Sequence, residues 1–380
     1  CPIVWTDSRE EGPAAFLDLS GWPCQRPHGT IDGGEMTDQG AGAAVAAEPL
    51  VSVVIAVYNG QDLVGQAISS VLRQTHSNIE VFVVDDGSTD HTPEVLAGYE
   101  AVDRPGRRVR VLRQENAGCG AARNRALEQV RGEFVTFLDA DDELLPHHLE
   151  TMLRRYRQLR EEPGRERTVV YTNAWQCTPS GINAERVVYR EAMPAPDEQR
   201  SVILEYNIGH LFGLFPREFF REVGVFDPEQ VFVEDWELWL RAVYSGWRFD
   251  RVDEVTVILS WSGGSMQSQR DRMAAGEEMA LRKTLARFEQ QLSPEERDKL
   301  LTRLRNGSPL AAASEAEQAL REGRAADARH HLETAAQMMP SQRRVVLKAK
   351  IARAPGGMRW LVRRQRAVDR SVGYTDAMRR

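Results

Sequence analysis

Four strand-like runs separated by helical stripes constrain this chain more than any other feature. VSVVIAV (Val51–Val57) is almost continuous Val and Ile, the composition of a strand buried on both faces. DLVGQAISSVLRQT then places Leu63, Val64, Ala67, Ile68, Val71 and Leu72 at helical spacing. IEVFVVDDGS, from Ile79, reads as a second buried strand. DHTPEVLAGYEA reads as a helix with Asp90 or Thr92 near its N-cap and Pro93 in its first turn. RVRVLRQ, GAARNRALEQV and EFVTFLDADD then read as strand, helix and strand. Such alternation predicts a parallel, doubly wound α/β sheet. Sheets of that kind bind ligands beyond the carboxyl ends of their strands. Asp85, Asp86, Asp139, Asp141 and Asp142 all fall at those ends.

Carboxylates this crowded repel one another unless a cation or a set of donors neutralises them. Asp139 and Asp141 are i and i+2 at a strand end and can converge on one ligand. Two hard oxygens suit Mg²⁺ or Mn²⁺, which completes its shell with phosphate oxygens. Asp142 is placed to cap the helix that LPHHLETMLRRY forms. His147 and His148 are adjacent on that helix and diverge by about 100°, so both cannot face one metal, and they read as surface residues. Gly118-Cys-Gly120 lacks the third Gly of a dinucleotide loop and follows the third strand rather than the first.

Composition narrows the class. The chain has 380 residues, 42% hydrophobic and 28% charged, enough for a full core plus an appendage. Its net charge of −7 argues against a nucleic-acid binder. From Ser341 onward there are 12 Lys and Arg against 2 Asp, so this tail is +10 and residues 1–340 sum to −17. Cys1, Cys24, Cys119 and Cys177 have no metal-ligand spacing and suit a reducing compartment. No run approaches the ~20 apolar residues of a membrane span, and the N-terminus lacks a signal-peptide pattern. The expectation is a soluble, cytoplasmic protein.

Residues 1–48 are rich in Gly, Pro and Ala without sustained periodicity and read as a disordered or non-native extension, with Met36 a natural start. The ordered chain divides into a first domain over 49–268, with halves at 49–145 and 168–262, and a helical C-terminal region over 273–380. ALREGRAADARHHLETAAQMMP has the spacing of one tetratricopeptide-like helical hairpin, which must pack on its neighbours. RRVVLKAKIARA and MRWLVRRQRAV interleave apolar residues with Arg and Lys. This pattern could lie on an anionic membrane surface and place the protein peripherally at its inner face.

The order VSVVIAVYN, QTHSNIEVFVVDDGSTD, ENAGCGAARNRAL, GEFVTFLDADD resembles the family 2 glycosyltransferases, and GVFDPEQVFVEDWELWLRAVYSGWRF matches their acceptor half. The resemblance covers residues 51–262. It implies a GT-A fold, Rossmann-like with a doubly wound mixed sheet, and an inverting, metal-dependent transfer from a nucleotide sugar. Carried over by position, Asp86 matches the acid that grips the nucleotide base, and Val57 and Tyr58 match contacts to that base. Arg123 matches a basic residue near the nucleotide, Asp139 the acid on ribose, and Asp141 the acid reaching Mn²⁺ or Mg²⁺ on the diphosphate. Asp235 matches the general base, with Glu234 its competitor and a helix N-terminus the other role for both.

The family mostly uses UDP, with GDP and dTDP the other nucleotides to weigh; the implied acceptor is a glycan, a lipid-linked or a small-molecule hydroxyl. Trp261-Ser262 stands where many members carry Tyr-Arg, and the QxxRW motif of processive synthases is absent, which favours a single addition. His210 reads as a structural histidine or an acceptor-pocket residue. Trp236 and Trp239 read as core, unless an exposed Trp236 stacks on an acceptor sugar. Two other classes fit less well. A catalytically silent scaffold has no need of Asp139, Asp141 and Asp235 together, and a nucleotidyltransferase needs a basic Gly-rich loop where AVYNGQD stands.

Overall fold

The apolar runs become strands because each buries both faces. The computed structural model describes residues 48–100, 103–104, 107–178, 181–260 and 270–371. Residues 1–47 and Trp261-Ser262 lie outside these, and with them the expectations made for them. The first strand, β1 (Val51–Val57), is followed by α1 (Val64–Leu72), β2 (Ile79–Asp85), α2 (Thr92–Glu100), β3 (Asp103–Arg104), β4 (Arg107–Arg113), α3 (Cys119–Leu127) and β5 (Phe134–Asp139). Val51, Val53, Val54 and Ile55 are fully buried, as are Val81 to Val84 on β2. The predicted stripe of α1 turns Val64, Ala67, Ile68, Val71 and Leu72 inward. β4, β2, β1 and β5 run parallel in that order. Ala56 pairs with Asp139 and Val57 with Asp85, so the acid-bearing ends are level.

A second sheet carries the later half. The chain continues through β6 (Glu143–Leu144), α4 (His148–Arg160), β7 (Thr168–Thr178), β8 (Gly181–Val187), α5 (Gln199–Val202), β9 (Phe215–Pro216), α6 (Arg217–Glu222), α7 (Glu234–Tyr244) and β10 (Arg248–Ser260). Its order is β6-β10-β7-β8, while β9 returns to the edge of β5 in the first sheet. Aromatic rings on α7 join it to both sheets: Trp239 stacks on Phe215 of β9 at 5.0 Å between centroids and meets Phe249 of β10 edge-on at 5.5 Å. Trp236 and Trp239 are both buried, and Trp236 Nε1 donates to Ile203 O at 3.0 Å, so both are core residues.

Two expectations for the start of α4 fail. His148 is no surface residue: it is 0% exposed, because this turn packs against β7 and β10. Its Nε2–H donates to Phe212 O at 3.2 Å and its Nδ1 accepts from Thr256 Oγ1 at 2.7 Å. Burial pushes its pKa down to about 3, which keeps the ring neutral. His147 does lie near the surface, 3.2 Å from Glu254. Asp142 does not cap α4; its Oδ1 accepts from Ser260 N at 2.8 Å and joins the end of β10 to the acid cluster.

The remaining chain is helical: α8 (Arg270–Phe288), α9 (Pro294–Asn306), α10 (Pro309–Glu322), α11 (Ala325–Met338), α12 (Arg343–Arg353) and α13 (Gly357–Ser371). Ser293 caps α9 through a reciprocal pair with Glu296 and Pro294 at the first position, a strong start signal. α10 and α11 form a helical hairpin, and α8 packs on α7. The described residues from Pro49 onward form one compact unit.

Candidate active site

The loops after β1 and β2 are fastened to each other. Asn59 adopts a left-handed backbone (φ 50°). Its Oδ1 accepts from Thr89 N at 2.8 Å, and its own N–H donates to Ser88 Oγ at 2.9 Å. Gly87 (φ 78°) is needed here, since a Cβ would stand 2.8 Å from Asn116 N. The carbonyl of Val57 accepts from Asp86 N at 2.9 Å, so Val57 contributes a fixed backbone edge. Tyr58 beside it is 40% exposed, a free ring at the rim.

Asp86 is 3% exposed, and its carboxylate organises a third loop. Oδ1 accepts from Gln114 Nε2 at 2.8 Å and Ala117 N at 2.9 Å; Oδ2 accepts from Gly118 N at 2.8 Å. The side chain thus holds loop 114–118, which leads into α3, against the end of β2. Asp85 accepts from Ser88 N at 2.8 Å and closes the turn.

Arg123 is engaged within the protein. Its guanidinium is 4% exposed rather than open to a ligand. Nη2 donates to Asp139 Oδ1 at 2.8 Å, Nη1 to Glu234 Oε1 at 2.6 Å, and the group lies 5.4 Å from the Phe226 ring centre. One arginine therefore joins the end of β5 to the first turn of α7. Cys119 also donates to Glu234, at 3.0 Å, and burial pushes its thiol up to about 12.

The acid cluster keeps two carboxylates toward the open end of the sheet. The Asp139 side chain is half-exposed, with Oδ1 taken by Arg123. Burial and the nearby Asp139 raise Asp141 to about 6. Asp142 is raised further, by burial and by both neighbours. Ionising carboxylates this close and this buried is costly at neutral pH. Among the described residues no three His, Cys, Asp or Glu form a complete metal cage. Two adjacent carboxylates fit an ion that takes its other oxygens from phosphate and water.

Asp235 lies in the first turn of α7, after Val233 in left-handed conformation (φ 56°, ψ 33°). A β-branched residue there is strained. Asp235 Oδ2 accepts from Asn207 Nδ2 at 2.9 Å, and Oδ1 from Trp236 N at 2.7 Å. Burial, then the charge of Glu234, raise its pKa to about 6. Glu234, the competitor for its role, is bound to Arg123 and Cys119 instead. Sequence reasoning missed Asn207; its only signal was an Asn two residues before Gly209 in a segment without helical or strand period. His210 stacks on Phe212 at 3.8 Å and meets Tyr189 at 6.2 Å. Its Nδ1 is buried without a hydrogen-bond partner among the described residues, unlike a satisfied structural histidine, one of the two readings given to it, and burial lowers its pKa to about 4.

Residues 52–162 match the model of glycosyl transferase family 2. A Bacillus subtilis protein named as a teichuronic acid biosynthesis glycosyltransferase, TuaG, is 43% identical over 107 residues, 28% of this chain and 41% of its own. An uncharacterized glycosyltransferase of Rickettsia prowazekii, RP339, is 29% identical over 198 residues, 51% of this chain and 58% of its own. The chain spans 30% of EpsH, a Bacillus subtilis protein also named as a glycosyltransferase, and 31% of a Rickettsia felis relative.

Among solved structures, S. aureus TarS 1-349 aligns over 85% of this chain and 90% of its own with a TM-score of 0.51 at 20% identity. The mannosyltransferase PcManGT of Pyrobaculum calidifontis aligns over 85% and 87% with the same TM-score and identity. These two share the fold. Over residues 52–162 this chain is thus similar to glycosyl transferase family 2.

Proposed function

We propose that this chain is an inverting glycosyltransferase that moves one sugar from a nucleotide-sugar donor to a hydroxyl of a glycan, lipid-linked or small-molecule acceptor. The observation that carries the reading is the continuous link Asp139–Arg123–Glu234. It gathers the acids at the strand ends and Asp235 into one cluster, where a donor and an acceptor can meet. UDP is the first nucleotide to test. TarS 1-349 has been solved with UDP-GlcNAc and PcManGT with GDP-Man and Mn²⁺, both nucleotide sugars on this fold.

In this reading the exposed Tyr58 ring stacks on the base above the Val57 backbone edge. Asp86 meets the base with the remaining lone pair of Oδ2 and with the loop it holds. Asp139 turns Oδ2, which takes no hydrogen bond from the described residues, to the ribose. Asp141, with Asp139 beside it, would hold Mn²⁺ or Mg²⁺. The ion would supply charge stabilisation to the departing diphosphate.

Asp235 then acts as the general base. An acceptor hydroxyl is a poor nucleophile until its proton is taken. A carboxylate with a pKa near 6 is ionised at neutral pH yet more basic than an ordinary Asp. Asn207 fixes Oδ2 of that carboxylate, and the strained Val233 turn presents it. In-line attack inverts the anomeric carbon and needs no covalent intermediate. Cys119, the thiol beside the cluster, is kept protonated and hydrogen-bonded, so it offers no nucleophile.

Calorimetric titration of UDP, GDP and dTDP, with and without Mn²⁺, tests the donor side. One nucleotide should bind with metal and lose that binding in Asp141→Ala. If none binds with metal present, the donor site is misassigned and a silent scaffold replaces the enzyme reading.

A further inference from the structure

The last two described helices carry a charge pattern that the catalytic reading does not use. From Pro340 to Val368 the sequence has nine Lys and Arg and no acid. The inner faces of α12 and α13 are accounted for, since Ala349, Ala352, Met358 and Leu361 pack into one apolar cluster with α10 and α11. Three cations are spent on neighbours: Arg344 on Glu191 at 3.5 Å, Lys348 on Glu317 at 2.9 Å and Arg353 on Glu333 at 2.9 Å.

The other faces are not accounted for. Arg343, Leu347 and Lys350 stand at i, i+4 and i+7 on α12, one exposed stripe with an apolar residue between two cations. On α13, Arg359 and Arg363 form one i, i+4 pair and Trp360 and Arg364 the next, again all exposed. None of these five cations has an ion pair among the described residues. Leu347 is 55% exposed and Trp360 47%, and the Arg364 guanidinium lies 5.2 Å from the Trp360 ring centre.

We propose that the outer faces of α12 and α13 dock on an anionic lipid surface. Cations alone would suit any acidic partner. Large apolar side chains set between unpaired cations suit a bilayer interface in particular: Arg and Lys meet lipid phosphates while Trp and Leu enter the headgroup boundary. Charge asymmetry fixes the orientation. Residues 1–340 sum to −17, so an anionic surface attracts this end and repels the acid-rich remainder. The docking goes beyond the transferase reading and stands without it. Where that reading also holds, it brings the enzyme to lipid-linked acceptors.

The test is co-sedimentation of the full chain with vesicles of phosphatidylcholine alone and of phosphatidylcholine with phosphatidylglycerol. Binding is expected to the anionic vesicles only, and high salt should abolish it. Each removed charge should weaken partitioning roughly fivefold, so R363Q/R364Q should lose at least tenfold. Trp360→Ser should weaken it comparably, with melting curves showing both variants folded. Arg125→Gln, which removes an exposed arginine on α3, should change nothing. Binding to neither vesicle, equal binding to both, or full binding by the α13 variants would overturn the proposal.

Discussion

Arg123 and Glu234 stand 2.6 Å apart, both nearly buried, and tie the helix after β4 to the first turn of α7. A buried pair of this kind specifies how two halves meet more than it stabilises them, since desolvation offsets much of its attraction. Breaking one side is costly. Arg123→Met should leave Glu234 and Asp139 uncompensated and destabilise the protein by about 3–5 kcal/mol. Glu234→Gln keeps an acceptor for the guanidinium and should cost about 1–3 kcal/mol. Denaturant melts of the two variants check this ranking.

The pH profile should carry the signature of Asp235. Its carboxylate must be ionised to accept a proton, so kcat/KM should rise with pH and level off above about 6. Asp235→Asn should lower kcat on the order of 10²–10⁴-fold without abolishing nucleotide binding. The neighbours should move the acid limb in opposite directions. Glu234 raises this pKa by its charge, so Glu234→Gln should shift the limb down. Asn207 lowers it by hydrogen bonding, so Asn207→Leu should shift the limb up. Initial rates across pH, with melting curves for each variant, decide the matter.

Much of the first half was legible because a parallel strand buried on both faces has no other way to be written. Val51–Val57 and Ile79–Asp85 could be read from β-branched composition, and the acids at their ends followed. The partnerships of those acids were not legible. Nothing local says that Asp86 holds Gly118, or that Arg123 reaches Glu234 across 111 positions. His148 misled for the same reason: it sits in a polar helix start, yet two sheet strands close over it. Asn207 had no periodicity around it, and its role exists only because α7 begins beside it in space.

Asp141 should be a destabilising residue in the metal-free protein. Its folded pKa of about 6 lies above the ordinary value of 3.8, so the folded state binds its proton more tightly than the unfolded one. That contribution is present below about pH 4 and is lost as pH rises through 6. At neutral pH the ionised carboxylate costs about 1–2 kcal/mol, less than the full shift because water reaches the site. Asp141→Asn should therefore raise Tm by a few degrees at pH 7 and change it little at pH 4. With Mn²⁺ and the cognate nucleotide the order should reverse, since only the wild type gains from binding. Scanning calorimetry at both pH values, with and without ligand, reads all of these.

The helical region should matter to the base through the close approach of Gly276. A Cβ on Gly276 of α8 would stand 2.6 Å from Val233 Cγ2 and 2.7 Å from Phe232 O. The Gly276 carbonyl also accepts from Gln230 Nε2 at 2.9 Å, so this turn is gripped from both sides. Because Val233 already holds a left-handed backbone, it has little freedom to yield. Gly276→Ala should cost about 1–3 kcal/mol through overpacking. It should also displace the first turn of α7, and a shift of under an ångström at Asp235 can lower turnover on the order of tenfold or more. Loop 114–118 and Asp141 are held by other contacts, so affinity for the nucleotide should survive. Turnover lost with nucleotide binding intact is the expected result; loss of both together would mean that α8 supports the whole domain rather than the turn that presents Asp235.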